Sequence, residues 1–384
     1  MTGSPEQVTT AAGATPPLGP AWRREAERSQ ESVLPAGKVA VSCSAPMGVG
    51  GLGRHLKEVV DALERTGRPA VCLCDSSRLG AAGERASRKA LLDPCVLLGR
   101  LPVPMPPGVR ARAFSVKFDA YAAEHLPAAE HLIAFNGQAQ SQFSAARKAR
   151  YKSLSLISAN SHLRRVARQH ARAHSQYPLE GSWASRLLRR NLREYAHADR
   201  IYVASEYTRE SFLEEGFPDA QLSLFQFTPD PRYAPAATPQ HPDTFNIAYV
   251  GSLTVAKGVP LLVDAVRRLP YTDLRLELIG GWATRGMRRF VQAACAEDPR
   301  ISSGPGDPLP HLRAASLYVH PSYEDGFAYA PVEALACGVP TIVSSDTGMK
   351  DLIDPTRTGA IVPTGDVDAL AEAIAAAYRG ELLG

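Results

Sequence analysis

The chain has 384 residues, more than one hydrophobic core usually supports, so two domains of ordinary size are expected. Apolar residues at 45% and charged residues at 21% are those of a globular protein. No apolar run approaches the ~18 residues of a membrane-spanning helix, which argues against an integral membrane protein.

Residues 1–36, rich in Thr, Ala, Gly, Pro and Glu, have no apolar stretch of the kind a signal peptide needs and read as a disordered tail. Lys38–Ser44 predicts a strand, a glycine-rich loop follows, and Leu52, Leu56, Val59, Val60 and Leu63 recur at helical spacing. Further strands are predicted near Ala70–Asp75, His131–Asn136, Leu154–Ala159 and Arg200–Ser205, with helices at Ser185–Ala196 and Glu206–Glu215 between or after them. Such alternation implies a parallel sheet covered on both faces. Thr228–Asp243 is proline-rich and predicts the domain linker. The pattern then restarts with strands Phe245–Val250, Leu274–Ile279, Leu317–His320 and Thr341–Ser345, and helices from Pro260, from about Ala283, at Pro331–Ala336 and at Asp366–Tyr378. The expected architecture is α/β, with two doubly wound Rossmann-like domains over residues 37–235 and 243–384 facing across a cleft. The last helix is expected to pack back toward the first domain.

The net charge is only +4, but Gln138–Arg200 holds 13 Lys and Arg against 3 Asp and Glu. That stretch reads either as a solvated helix face or as a contact for an anionic membrane surface or acidic acceptor; nucleic acid is not expected. Cys43, Cys72, Cys74 and Cys337 lie in apolar stretches and read as buried free thiols, which suits a cytoplasmic location. Cys72 and Cys74 lack further partners for zinc, His170 and His174 lack a third ligand and read as surface residues, and no metal site is expected.

Three segments carry candidate chemistry. Gly48-Val-Gly50-Gly51-Leu-Gly53 lets backbone approach a phosphate or sugar at a helix N-terminus. It also spells G-x-G-x-x-G, with Asp75 ending the next strand, so a nicotinamide-dependent oxidoreductase is a rival reading; Ser44-Ala-Pro46-Met makes the loop too long for that fingerprint. In the second domain Gly251 and Lys257-Gly258 lie between a strand and a helix, where a lysine near unsatisfied N–H groups makes sense beside a bound phosphate. The third segment, Glu324-Asp325-Gly326-Phe327-Ala328 followed by Pro331-Val-Glu333-Ala-Leu-Ala-Cys-Gly338-Val-Pro340, presents carboxylates on a loop and in the first turn of a helix at the sheet's carboxyl edge.

Together these segments resemble the large retaining family of GT-B glycosyltransferases, glycosyltransferase family four, from about Val39 to the end; Ser205–Gly216 and Thr347–Ile353 also fit. The resemblance implies transfer of a hexosyl unit from a nucleoside diphosphate sugar to an acceptor hydroxyl of a glycan, lipid or small molecule, with retention and without a separate cofactor. It implies that Glu333 binds the donor ribose and Asp325 the transferred sugar, with the amides of Phe327 and Ala328. Lys257 and the loop glycines Gly50 and Gly51 would attend the diphosphate, Gly251 and Gly326 would belong to the donor-binding site, and His162 would contact sugar or acceptor. Two departures stand out: Asp325 where the family usually has Glu, and Ser252 where it often has Arg. A catalytically silent nucleotide-binding relative would also accommodate them.

Overall fold

The computed structural model describes residues 18–74, 85–86, 107–181, 184–236 and 244–383. Among these, the first sheet contains β1 (Val39–Cys43), β2 (Ala70–Cys74), β3 (Arg85–Ala86), β4 (His131–Phe135), β5 (Ser153–Ser158), β6 (Arg200–Val203) and β7 (Leu222–Leu224). All pair in parallel in the order β3-β2-β1-β4-β5-β6-β7. The second sheet, β8 (Phe245–Val250), β9 (Leu274–Ile279), β10 (Ile301–Gly304), β11 (Leu317–His320), β12 (Thr341–Ser344) and β13 (Gly359–Val362), is also parallel, in the order β10-β9-β8-β11-β12-β13. Both sheets are doubly wound, as expected. Strands such as β1, Val-Ala-Val-Ser-Cys, are buried along their whole length, as helices on both faces require.

The strand order reverses between β1 and β4 in the first sheet and between β8 and β11 in the second. Ligands of open α/β sheets bind outside the carboxyl ends of the strands at such points. Helix α2 (Gly50–Arg65) follows β1; α8 (Val259–Arg267) follows β8; α11 (Tyr329–Ala336) follows β11. The three candidate segments are therefore the connections at the two switch points.

Two expectations about the chain's ends are corrected. Pro20–Val33, assigned to the disordered tail, is a helix, α1, opened by its proline. It docks through the Gln30 amide, which donates to the Gln226 carbonyl at 2.7 Å, and through the Val33 carbonyl, which accepts from the Tyr202 hydroxyl at 3.0 Å. Its mostly polar sequence hid a narrow buried stripe of Ala26 and Gln30. The final helix, α12 (Val367–Tyr378), packs on α8 and β13 in its own domain, because Leu370, Ala371, Ile374 and Ala375 face the second core. Of the proline-rich linker, residues 228–236 are described and form neither helix nor strand, while 237–243 lie outside the described residues.

The remaining first-domain helices include α5 (Leu163–Gln176), α6 (Ala184–His197) and α7 (Glu206–Leu213). Here much of the basic stretch is consumed internally: Arg147 pairs with Asp199, Lys152 with Glu130, Arg165 with Glu214, and Arg190 with buried Asp119 and Glu194. Among the described residues no helix is long and apolar enough to cross a membrane.

Candidate active site

At the second switch point, the loop from β8 to α8 turns at Gly258. Its φ of +72° suits glycine, and a Cβ there would lie 1.9 Å from the Pro321 carbonyl oxygen. Glycine thus lets this loop press against the start of the β11–α11 connection and brings Lys257 to Asp325, Nζ to Oδ2 at 2.5 Å. The same carboxylate oxygen is 3.1 Å from Nε2 of His320, the last residue of β11. Burial opposes ionisation of Asp325, but the Lys257 charge and the His320 hydrogen bond outweigh it and hold the carboxyl well below the usual range. Burial lowers His320, so this imidazole is neutral and donates Nε2–H, leaving Nδ1 buried without a partner. His320 is a member of the site that the sequence reading missed.

Glu333 lies in the first turns of α11 and is 1% exposed. Its partner is Arg54 of α2, in the other domain, whose guanidinium also lies 3.7 Å from the ring centre of Tyr329. Burial raises the Glu333 carboxyl, and the Arg54 charge opposes that rise. Tyr329 in turn donates to Glu58 of α2 at 2.6 Å, and His55 stacks on Phe227 at 3.8 Å beside Phe327 and Tyr329. The first turns of α2 and α11 thus face one another across the domain boundary.

The boundary is tight elsewhere too. The Ser161 N–H donates to Glu324 at 3.0 Å, the Ser205 hydroxyl donates to the Gly326 carbonyl at 2.8 Å, and Tyr177 donates to Asp264 at 2.8 Å. A Cβ on Gly326 would fall 2.3 Å from the Ala159 carbonyl oxygen, so only glycine permits this approach of the two domains. By contrast, a Cβ on Gly50 or Gly51 would meet nothing within 4 Å. These two glycines open α2, two residues earlier than the periodicity suggested, and their Cβ positions border open space.

The structure thus gathers Lys257, Asp325, Gly326, Phe327, Ala328 and Glu333 on the β11–α11 side, while Gly50 and Gly51 open α2, the helix that meets α11 through Arg54, His55 and Glu58. The Ala328 N–H rests on the Met349 sulfur at 2.9 Å, a weak acceptor that a ligand oxygen could replace. Gly251 follows β8 with φ of +148°.

His162 is a correction. Its ring is 1% exposed and sits among Tyr195, Phe212 and Phe217, while Nδ1 caps α5 by accepting from the Arg164 N–H at 3.4 Å. A basic, polar neighbourhood in sequence suggested a ligand contact, whereas the backbone turns the ring into the core. His170, read as a surface residue, is also buried, and its lowered pKa of about 3 follows from that burial. Asp75 lies outside the described residues. Among the described residues, no three His, Cys, Asp or Glu side chains form a group able to hold a metal ion.

Comparison with known proteins fits this geometry. Residues 244–379, the second domain, match the family model described as Glycosyl transferases group 1. The D-inositol 3-phosphate glycosyltransferase of Mycobacteroides abscessus is 31% identical over 175 residues, 42% of this chain and 37% of the relative. The enzyme of that name from Pseudarthrobacter chlorophenolicus is 30% identical over 209 residues, 51% of this chain and 48% of the relative. These matches span less than half of each relative. Among solved structures, sucrose-phosphate synthase from Thermosynechococcus elongatus superposes with a TM-score of 0.65 at 21% identity, over 90% of this chain and 92% of that one. Anabaena HepE in complex with UDP-glucose does so with a TM-score of 0.60 at 18% identity, over 90% and 93%. The fold is therefore GT-B, and the second domain, residues 244–379, is similar to the family described as Glycosyl transferases group 1.

Proposed function

We propose that the chain is a retaining glycosyltransferase that moves a hexosyl unit from a nucleoside diphosphate sugar to an acceptor hydroxyl. The observation that carries this reading is the convergence of Asp325, Lys257 and Glu333 at the second switch point, facing the open-sided glycines of α2. Support comes from relatives whose names include glycosyltransferases and from the UDP-glucose complex of HepE.

Each group has a task suited to its chemistry. Glu333, an acceptor when ionised, takes the paired hydroxyls of the donor ribose. Asp325, kept ionised by Lys257 and His320, accepts from hydroxyls of the transferred sugar. The amides at the start of α11, with Lys257, receive the charge that develops on the departing diphosphate in a site the domains close to water. The acceptor hydroxyl approaches from the first domain, and its proton passes to the leaving diphosphate or to water.

In a transfer assay with the matching donor, Lys257→Ala is expected to lower kcat by about 100-fold or more, the scale of losing one preorganised charge donor. Circular dichroism establishes that the variant folds. Turnover by folded Lys257→Ala at the wild-type rate would overturn the role given to this lysine.

A further inference from the structure

The pairing of Arg54 with Glu333 is not absorbed by the reading above. Arg54 sits in the first two turns of α2, where the macrodipole disfavours a cation, so helix stability does not account for it. Its ion pair with Glu333 and its stacking on the Tyr329 ring both reach α11 in the other domain. Glu333 accepts through Oε1 from one terminal nitrogen, and the Arg54 side chain remains 29% exposed. The guanidinium therefore lies between α2 and α11, and at Gly50 and Gly51, which open α2, a Cβ would meet nothing within 4 Å. Among the described residues Lys257, the cation already given to the diphosphate, pairs with Asp325, Arg232, whose charge also reaches Glu333, pairs with Asp307, and the loop after β8 presents the neutral Ser252 at its exposed turn.

We infer that Arg54 is a donor-binding residue supplied by the first domain. It pairs with Glu333; when a nucleoside diphosphate enters, the ribose hydroxyls take over Glu333 and the guanidinium turns to the diphosphate. This rests on the proposed donor reading and assigns to it a residue from the opposite domain. The exchange has a chemical logic. Glu333 is buried, so leaving it ionised and unpaired would be costly, and Arg54 meets that charge until hydroxyl donors replace it. The fork of N–H donors released in the exchange matches phosphate oxygens. Binding then draws α2 and α11 together through the ligand in place of the direct ion pair.

The test is calorimetric titration of the full chain, wild type, Arg54→Ala and Arg54→Lys, with UDP, GDP and ADP and with the corresponding monophosphates. Arg54→Ala is expected to weaken the bound diphosphate by about tenfold or more, the scale of losing a charge-assisted hydrogen bond. The monophosphate should weaken less, and Arg54→Lys should fall between, because it keeps the charge and loses the fork. A merely structural arginine would weaken diphosphate and monophosphate by the same factor, and that result would overturn the inference. So would unchanged or tighter diphosphate binding by Arg54→Ala, which would make the arginine only a competitor for Glu333. If wild type binds none of the diphosphates, the donor reading itself fails and the inference with it. Should Arg54→Ala not fold, Arg54→Lys against wild type gives the same comparison of diphosphate with monophosphate.

Discussion

Glu324 stands beside Asp325 yet faces the other way, accepting from the Ser161 N–H across the domain boundary. Burial, and then the neighbouring charge of Asp325, push its carboxyl up to about 7. A folded pKa above the unfolded one means that the stability tied to the protonated form is complete below about pH 4.5 and is lost as pH rises to about 7. Glu324→Gln keeps an acceptor for Ser161 and removes the ionisation. Thermal denaturation is expected to show the variant more stable than wild type at pH 8 and nearly equal to it at pH 4.5. An equal difference at both pH values would refute the assignment. Below about pH 7 the dipeptide thus holds an ionised Asp325 beside a protonated Glu324. Sequence alone could not reveal this, because Lys257 is 68 residues away and Ser161 is 163 away.

At the scale of elements, the close approach of the β11–α11 connection to the loop after β5 depends on Gly326. Its predicted role was in donor binding, and its packing adds a second reason for glycine there. Gly326→Ala places a methyl against the backbone of Ala159 and Asn160, which cannot move as a flexible side chain would. Each sheet should still fold, but the domains should stand further apart. Small-angle scattering is expected to report a larger radius of gyration than wild type, with transfer reduced about tenfold or more because the catalytic groups no longer converge. An unchanged radius with full activity would show that the loops yield instead.

For the whole molecule, the doubly wound pair of sheets was legible because nearly every strand is a short apolar run followed by a helix with a clear period. The cluster of Lys257, Asp325 and Glu333 was legible because its residues flank strands whose order the motif pattern implies. What escaped the sequence reading lay at low contrast or across long separation. Helix α1 is mostly polar; β7, β10 and β13 are three or four residues long; His320 ends a strand as an ordinary core residue; and Arg54 meets Glu333 279 residues further on. His162 was misplaced because a polar sequence neighbourhood does not report which way a capping residue's ring turns.

The most direct test of the central claim is calorimetric titration of wild type and Glu333→Ala with UDP, GDP, ADP and NAD, with circular dichroism confirming the fold of the variant. The account expects wild type to bind one nucleoside diphosphate, and Glu333→Ala to bind it about tenfold or more weakly, since each hydrogen bond to a charged group contributes about 1.5–3 kcal/mol. Binding of NAD unaffected by the substitution, with no diphosphate bound, would contradict the donor site and favour a dinucleotide at the glycine-rich segment of the first domain.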